Sequence, residues 1–388
     1  MTTFFKTTGI ILLLLLSIKS KAQTFDAYYD GIVNNVSATN ILNDLTTFEN
    51  YGIKSIGTTA LSNTQNWIKG RYQAMGFTDI VEQPFDYNGG TTNNIIVTKI
   101  GSVYPNTFLI IDAHYDTLNG PGTNDNGSGT VLLLEIARLL QNVNTEYSIK
   151  FIHFSGEEPG LLGSNYYVNN TVIPQNLDIK LVLNIDQVGG VNGMTNNTII
   201  CERDTGSPSS NNAASDTATS SLATCIGLYS NLQTEISYAY ASDYMPFENN
   251  GEIITGLYEK NETPYGHTSS DLLINMDPAY LTEVTKGALG AALYFAVGVQ
   301  GTSAIGDDIL ADSLLFFPNP SDGFFQFKNE FENTFEFTVF NVFGKTVHSS
   351  TLDKDAISID LSLLGEGIYF CLFTNENNSF SKKIMIAR

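Results

Sequence analysis

Basic residues are scarce: 19 Lys and Arg stand against 40 Asp and Glu in 388 residues, a net charge of −21. Such an excess repels phosphate backbones and excludes nucleic acid as a partner. Cysteine is scarcer still. Cys201, Cys225 and Cys371 are too few and too scattered for a disulfide scaffold, and their odd number leaves a free thiol or an intermolecular bond. Cys201 and Cys225 could pair, but a thiol in a strand run reads more simply as buried. Long apolar runs are missing after the N-terminus, so no transmembrane anchor is expected. What the chain does have is 42% hydrophobic residues, enough for more than one packed core.

The two ends differ from the middle. Lys6, an apolar run from Ile10 to Leu16 and then Ser20-Lys21-Ala22 have the layout of a signal peptide over residues 1–22, with cleavage leaving Gln23 first. Residues 302–312 are small, polar and acidic, and form a linker between residues 23–301 and residues 313–388. Beyond it, Phe324 to Phe327, Phe335 to Phe340, Ile357 to Leu361 and Ile368 to Phe373 gather β-branched and aromatic residues between turn residues, which predicts a small β-sandwich with a Phe-rich core. Phe317-Pro318-Asn319-Pro320 with Gly323, then Val342-Phe343-Gly344-Lys345, Gly367-Ile368-Tyr369 and Lys382-Lys383 resemble the type IX secretion C-terminal sorting domain. That resemblance implies export through the periplasm and outer membrane of a Bacteroidetes-type bacterium, the type IX machinery as a partner, and a secreted or surface-held product. A generic sandwich that binds carbohydrate or packs on the preceding domain is the alternative.

In residues 23–301, β-branched runs at 94–100, 107–113, 148–154, 180–185, 198–201 and 252–257 alternate with helical patterns, which predicts an α/β sheet covered by helices. One helix begins near Ser128 with Leu132, Ile136 and Leu140 on one stripe, and another runs from Leu281 to Val297. The stretch from Gly206 to Ser221, rich in Ser, Asn and Ala, reads as a loop.

The polar residues fall at strand ends. His114 and Asp116 follow one strand, Glu157 and Glu158 a second, and Asp186 a third. Ligands bind outside the carboxyl ends of strands in open α/β sheets, so these positions converge on one crevice. Asp125, in the loop Gly122 to Gly127, and His267, before Leu272, complete the set. If Asp125, Glu158 and Asp186 meet, their mutual repulsion opposes folding unless cations compensate. The lysines nearest in the chain, Lys99, Lys150, Lys180 and Lys260, lie on or beyond strands, which leaves a metal as the simplest source of positive charge.

Imidazole together with carboxylate suits zinc, whereas an all-oxygen set would suit calcium or magnesium. Two zinc ions balance three carboxylates and one hydroxide, and one zinc does not. Two metals about 3.5–4 Å apart need a shared carboxylate. Adjacent residues leave the backbone in different directions, so one of Glu157 and Glu158 can ligate while the other moves protons. Asp116 and Asp271, close in sequence to His114 and His267, are candidates to fix the imidazole rings. His153 and His348 lack acidic companions and read as structural.

Asp112-Ala113-His114-Tyr115-Asp116, Gly122 to Gly129, Ser155-Gly156-Glu157-Glu158 with Gly160-Leu161 and Gly163-Ser164, Asn184-Ile185-Asp186, Ser242-Asp243 with Pro246-Phe247, and His267 to Asp271 together resemble the co-catalytic dizinc aminopeptidase family of bacterial leucyl aminopeptidases. The resemblance implies a mixed, largely parallel, twisted sheet flanked by helices. It also implies that His114 and Asp186 hold one zinc, that Glu158 and His267 hold the other, that Asp125 bridges, and that Glu157 is general base with Asp116 beside it in the catalytic set. A cis peptide after the bridging aspartate, at Asp125-Asn126, goes with it. The chain departs at Asn126, where many relatives have Asp, and at Tyr244, where His is common. Tyr240 is the nearest tyrosine for an oxyanion-stabilising role.

The expected activity is a secreted zinc exopeptidase that removes the N-terminal residue of peptides through a metal-bridging hydroxide, with Glu157 as base. A cleft poor in cations favours a substrate amine over a terminal carboxylate, which would call for an Arg clamp. A single-zinc glutaminyl cyclase and a non-catalytic surface binding protein are the alternatives. Met245, Phe247 and Tyr258 are candidates for the walls of the substrate pocket.

Overall fold

The computed structural model describes residues 23–239, 241–299, 314–329, 334–342, 345–353, 358–374 and 379–388. The expected leader at 1–22, the expected linker at 302–312 and Tyr240 lie outside them. The chain divides into two compact units between residues 299 and 300.

The strands of the first unit are β1 (Ile80–Tyr87), β2 (Gly90–Lys99), β3 (Tyr104–His114), β4 (Asn144–Thr145), β5 (Tyr147–Phe154), β6 (Asp178–Ile185), β7 (Thr198–Arg203), β8 (Gln233–Tyr238), β9 (Ile254–Glu259) and β10 (Gly298–Val299). Eight of them form one sheet in the order β1-β2-β5-β3-β6-β9-β7-β8, while β4 pairs with β10. The four central strands β5, β3, β6 and β9 are parallel. An antiparallel hairpin, β1–β2, flanks one side, and β7–β8 joins the other through an antiparallel step. The sheet is therefore mixed with a parallel centre, as expected from the family resemblance.

Its centre is apolar on both faces because helices cover both, as parallel strands require. Leu109 and Ile111 of β3 join one core and Ile110 the other. The helices are α1 (Ala27–Val33), α2 (Ala38–Asn50), α3 (Thr59–Ala74), α4 (Gly127–Leu140), α5 (Leu162–Tyr167), α6 (Ile173–Gln175), α7 (Asn212–Tyr229), α8 (Met245–Asn249) and α9 (Pro278–Ala296). The larger core takes residues from α2, α3, α4, α7 and α9, and the smaller takes Tyr167 of α5 and Phe247 of α8. Helix α9 starts where Asp277 caps Ala279 and Tyr280 ahead of a proline at its first position.

The stretch from Gly206 is only partly a loop, since α7 begins at Asn212. Ser215, Thr219, Leu222, Cys225, Ile226 and Tyr229 are its buried residues, a helical stripe in which small polar side chains occupy inward positions and so conceal the period. All three cysteines are buried and free. Among the described residues no helix is long and apolar enough to cross a membrane.

The second unit comprises β11 (Leu314–Phe317), β12 (Phe324–Asn329), β13 (Phe335–Asn341), β14 (Thr346–Leu352), β15 (Ser358–Asp360), β16 (Gly367–Thr374) and β17 (Ser379–Ile386). They form two antiparallel sheets, β11-β12-β15 and β14-β13-β16-β17. Phe325, Phe335, Phe337 and Phe373 are buried between them with Val339 and Ile384, the Phe-rich core of a small β-sandwich.

Candidate metal centre

Three of the parallel strands end at one place. β3 ends on His114, β5 leads through Ser155 to Glu157 and Glu158, and β6 leads directly to Asp186. The loop after β9 brings His267, and the loop between β3 and α4 brings Asp125. All five expected ligands meet. His114 Nε2 lies 3.3 Å from Asp125 Oδ1 and 3.5 Å from Asp186 Oδ1. His267 Nε2 lies 3.0 Å from Asp125 Oδ2 and 3.0 Å from Glu158 Oε2. The two oxygens of Asp125 thus face two different imidazoles. Glu157 Oε2 stands 4.0 Å from His114 Nε2, farther than Asp125 or Asp186.

Donor atoms of His114, Asp125 and Glu158 lie within 4.8 Å of one another, and so do those of His114, Glu157 and Asp186. Glu158 Oε1 and Asp186 Oδ1 are buried without a hydrogen-bond partner. Lone buried carboxylate oxygens beside imidazole nitrogens are what a cation would complete. The donor set therefore fits a metal.

The electrostatics point the same way. Burial pushes Glu157 up to about 7, Asp186, Asp116 and Asp125 add to this, and His114 opposes it. Burial and then the charge of Asp125 push Glu158 up to about 8. Burial works against ionisation of Asp125 as well, but hydrogen bonds from His114 and His267 outweigh it and hold that carboxyl down at about 2. The bond to Asp125, with the charges of Glu158, Asp125 and Glu157 behind it, raises His267 to about 9 against the effect of burial. The cluster is short of positive charge, and its own imidazoles supply what there is. Among the described residues no Lys or Arg forms an ion pair with any of the five.

The loop carrying Asp125 is fastened on every side. The Asp125-Asn126 peptide is cis. The Asn126 side chain accepts from Gly129 N as the cap of α4 and donates to Ile185 O at 2.8 Å, next to Asp186. An aspartate at 126 could accept but not donate, which gives a physical sense to this departure from the family pattern. Asn124 donates to both oxygens of Glu259 at the end of β9, and its own carbonyl oxygen accepts from Gly189 N. A Cβ on Gly120 would lie 1.9 Å from Thr268 O, so only glycine lets this loop meet the His267 loop backbone to backbone.

The two acids expected to orient the imidazoles do something else. The Asp116 carboxylate accepts the backbone N–H groups of Glu157 and Glu158 at 3.1 and 3.3 Å. His114 Nδ1 instead faces the Asp116 backbone oxygen at 3.2 Å, with the carboxylate at 3.8 Å. Asp271 accepts from Asn124 N and Asp125 N, not from His267. In both cases a carboxylate facing two consecutive N–H groups satisfies two buried donors, which a single imidazole N–H does not offer.

Several contacts at the centre go beyond the sequence reading, which had Ser242-Asp243 only as part of the family motif. Ser242 Oγ donates to Asp186 Oδ2 at 2.7 Å, and Gln187 Nε2 donates to Asp125 Oδ2 at 3.1 Å. Asp243 is fully buried, and burial followed by the charge of Glu157 holds its carboxyl well above the usual range. Lys54 was not among the lysines considered. It is buried under the Asp125 loop, donates to Pro121 O and Gly52 O, and lies 3.7 Å from the Phe48 ring centre. Glu259 ends a strand in an acid, the same signal that picked out His114 and Asp186. Phe247, considered as a pocket wall, is instead fully buried against Phe154 and Tyr167. Tyr244 donates to Glu202 at 3.0 Å. His153 is buried against Tyr72 OH, and His348 stands edge-on to Phe337.

Comparison with known proteins bears on both units. The model of peptidase family M28 matches residues 94–292, and the secretion system C-terminal sorting domain matches residues 315–387. Leupeptin-inactivating enzyme 1 of Streptomyces exfoliatus is 34% identical over 37% of this chain and 33% of its own length. Aminopeptidase YwaD of Bacillus subtilis is 31% identical over 54% of this chain and 46% of its own. The chain thus spans between a third and a half of these curated relatives. The crystal structure of the Legionella pneumophila LapA aminopeptidase shares the fold, with a TM-score of 0.61 and 24% identity over 73% of this chain and 79% of that one. A Bacteroides thetaiotaomicron glutaminyl cyclase shares it too, with a TM-score of 0.55 and 21% identity over 66% of this chain and 97% of that one. The fold alone does not separate the two activities.

Proposed function

Because the chain belongs to peptidase family M28, we propose that it is a secreted zinc aminopeptidase that removes the N-terminal residue of peptides. The observation that carries this reading is the Asp125 carboxylate, whose two oxygens face His114 and His267. That arrangement supports a shared ligand between two zinc ions, with His114 and Asp186 on one side and Glu158 and His267 on the other. When bound, zinc supplies Lewis acidity for a substrate carbonyl and acidifies water.

Glu157 is the general base. It takes a proton from the attacking water and gives it to the leaving amine. Asp116 positions it by holding its backbone N–H. Ser242 and Gln187 orient the carboxylates of Asp186 and Asp125. The acidic surroundings favour a substrate's free α-amine, and among the described residues no Lys or Arg pairs with the site's carboxylates to clamp a terminal carboxylate.

The sorting-domain match supports delivery by type IX secretion from a Bacteroidetes-type bacterium to the surface or the medium. In this reading residues 1–22 are a signal peptide, 302–312 a linker and 313–388 the sorting domain.

The test is hydrolysis of leucyl anilide beside its Nα-acetylated form, and of N-terminal glutamine peptides for cyclisation. Cleavage of the free-amine substrate alone, abolished by chelators, is expected. Cyclisation without cleavage would replace this reading with that of a glutaminyl cyclase, and inertness toward both would leave a binding protein.

A further inference from the structure

Beside the metal centre lies a groove of about 520 Å³ bounded by Asp116 and Glu158. Its apolar walls are Ile56, Tyr87, Leu118 and Pro159, contributed by the segment before α3, the β1–β2 turn and the loops after β3 and β5. Gly57 and Gly89 also line it, both at positive φ with open space where a side chain would stand, so backbone fronts the groove at these points. Among the described residues no Lys, Arg or His lines it, its acidic groups are Asp116 and Glu158, and Ser55, Asn88 and Thr117 are its other polar side chains.

Size decides what it holds. A cavity of about 150 Å³ suffices for a benzene-sized group, so one amino-acid side chain would leave most of this groove empty. Continuity through Glu158 with the reacting centre means that whatever lies in it is joined to the scissile bond. An exopeptidase needs room for a single residue on the amine side and for an extended chain on the other.

We propose that this groove receives the peptide segment on the leaving side of the scissile bond, and that its lack of a cation makes the enzyme prefer tripeptides and longer chains to dipeptides. The inference rests on the aminopeptidase reading. In a dipeptide the residue entering the groove ends in a carboxylate, which meets apolar walls, the uncharged side chains of Ser55, Asn88 and Thr117 and the Asp116 carboxylate, with no basic partner among the described lining residues. In a longer chain the same position is a neutral amide, which the bare backbone of Gly57 and Gly89 can hydrogen-bond. Apolar residues after the scissile bond fit the walls best.

The experiment compares kcat/KM for Leu-Ala, Leu-Ala-amide and Leu-Ala-Ala with the full-length zinc-loaded protein, with leucyl anilide as a reference. The amide and the tripeptide are expected to exceed the dipeptide by about tenfold, the scale of a carboxylate partly desolvated without a cationic partner. Leu118→Arg, which places a guanidinium in the groove, is expected to raise the ratio of Leu-Ala to Leu-Ala-amide by about tenfold. Equal kcat/KM for dipeptide and amide in the wild type, with the anilide cleaved, would overturn the groove assignment and leave the aminopeptidase reading standing. So would a ratio that Leu118→Arg leaves unchanged. Failure to cleave every free-amine substrate would overturn the aminopeptidase reading itself.

Discussion

Asp271 accepts the backbone N–H of Asp125 at 3.0 Å and that of Asn124 at 2.8 Å, which ties the segment that carries His267 to the loop 146 residues earlier that carries Asp125. The two loops are therefore joined at this point. Removing this acceptor frees two buried N–H groups and loosens Asp125 relative to His267. Asp271→Ala is expected to lower zinc affinity by about 10–100-fold, the usual cost of losing an outer-shell partner. Competition with a chelator of known affinity measures it.

Glu157→Gln separates base from ligand. In the proposed role of base, Glu157 would contribute about 10²–10⁴-fold to turnover, and the isosteric amide cannot take a proton. The variant is expected to lose that factor in leucyl anilide hydrolysis while holding as much zinc as the wild type. Loss of zinc with the activity would instead make Glu157 a ligand.

Metal should also stabilise the fold. Glu158 Oε1 and Asp186 Oδ1 are buried without partners, so the metal-free protein carries uncompensated acids. A ligand at 100 times its dissociation constant adds about 2.7 kcal/mol. Calorimetry is expected to give a lower Tm after chelation, restored by zinc and rising with its free concentration. A Tm indifferent to zinc would contradict the charge argument.

His153 gives the clearest pH dependence away from the metal. Burial pushes its imidazole down to about 3, whereas an unfolded chain holds it near 6.5. Between these values the unfolded state binds a proton that the folded state does not. Its contribution to stability is therefore complete above about pH 6.5 and falls by up to about 1.4 kcal/mol per pH unit as the solution is acidified toward 3. Urea unfolding from pH 7 to pH 4 should show a shallower decline in His153→Gln than in the wild type. Parallel curves would mean that His153 is already charged in the folded protein.

The candidate ligands His114, Glu158, Asp186 and Asp125 are legible in the sequence because each follows a strand or precedes a helix, and parallel strands deliver their ends to one place, whereas His267 stands in the long loop after β9. Glu259 obeys the same rule and was overlooked among the apolar residues of its strand. The roles of Lys54, Asn124 and Ser242 are not legible, although Asn124 and Ser242 lie within motifs of the family resemblance. Their partners are Pro121 O, Glu259 and Asp186, remote in sequence, and nothing in the local pattern announces a side chain that serves a distant loop. The departure at Asn126 acquires its meaning only once Ile185 O is seen to need a donor. In the fold, the central strands and the helices α4 and α9 follow from apolar periodicity, whereas α7 was hidden by Ser215 and Thr219 at inward positions. Asp116 and Asp271 show the limit most plainly, since proximity in sequence to a histidine suggested an imidazole partner and the unsatisfied backbone donors nearby prevailed.

The central claim is that two cations share the carboxylate of Asp125, and elemental analysis of the full-length protein dialysed against metal-free buffer tests it most directly. The account predicts two zinc ions per chain in the active wild type and fewer than two in Asp125→Ala, with leucyl anilide hydrolysis lost alongside. A fully active protein holding one zinc ion or none would contradict it.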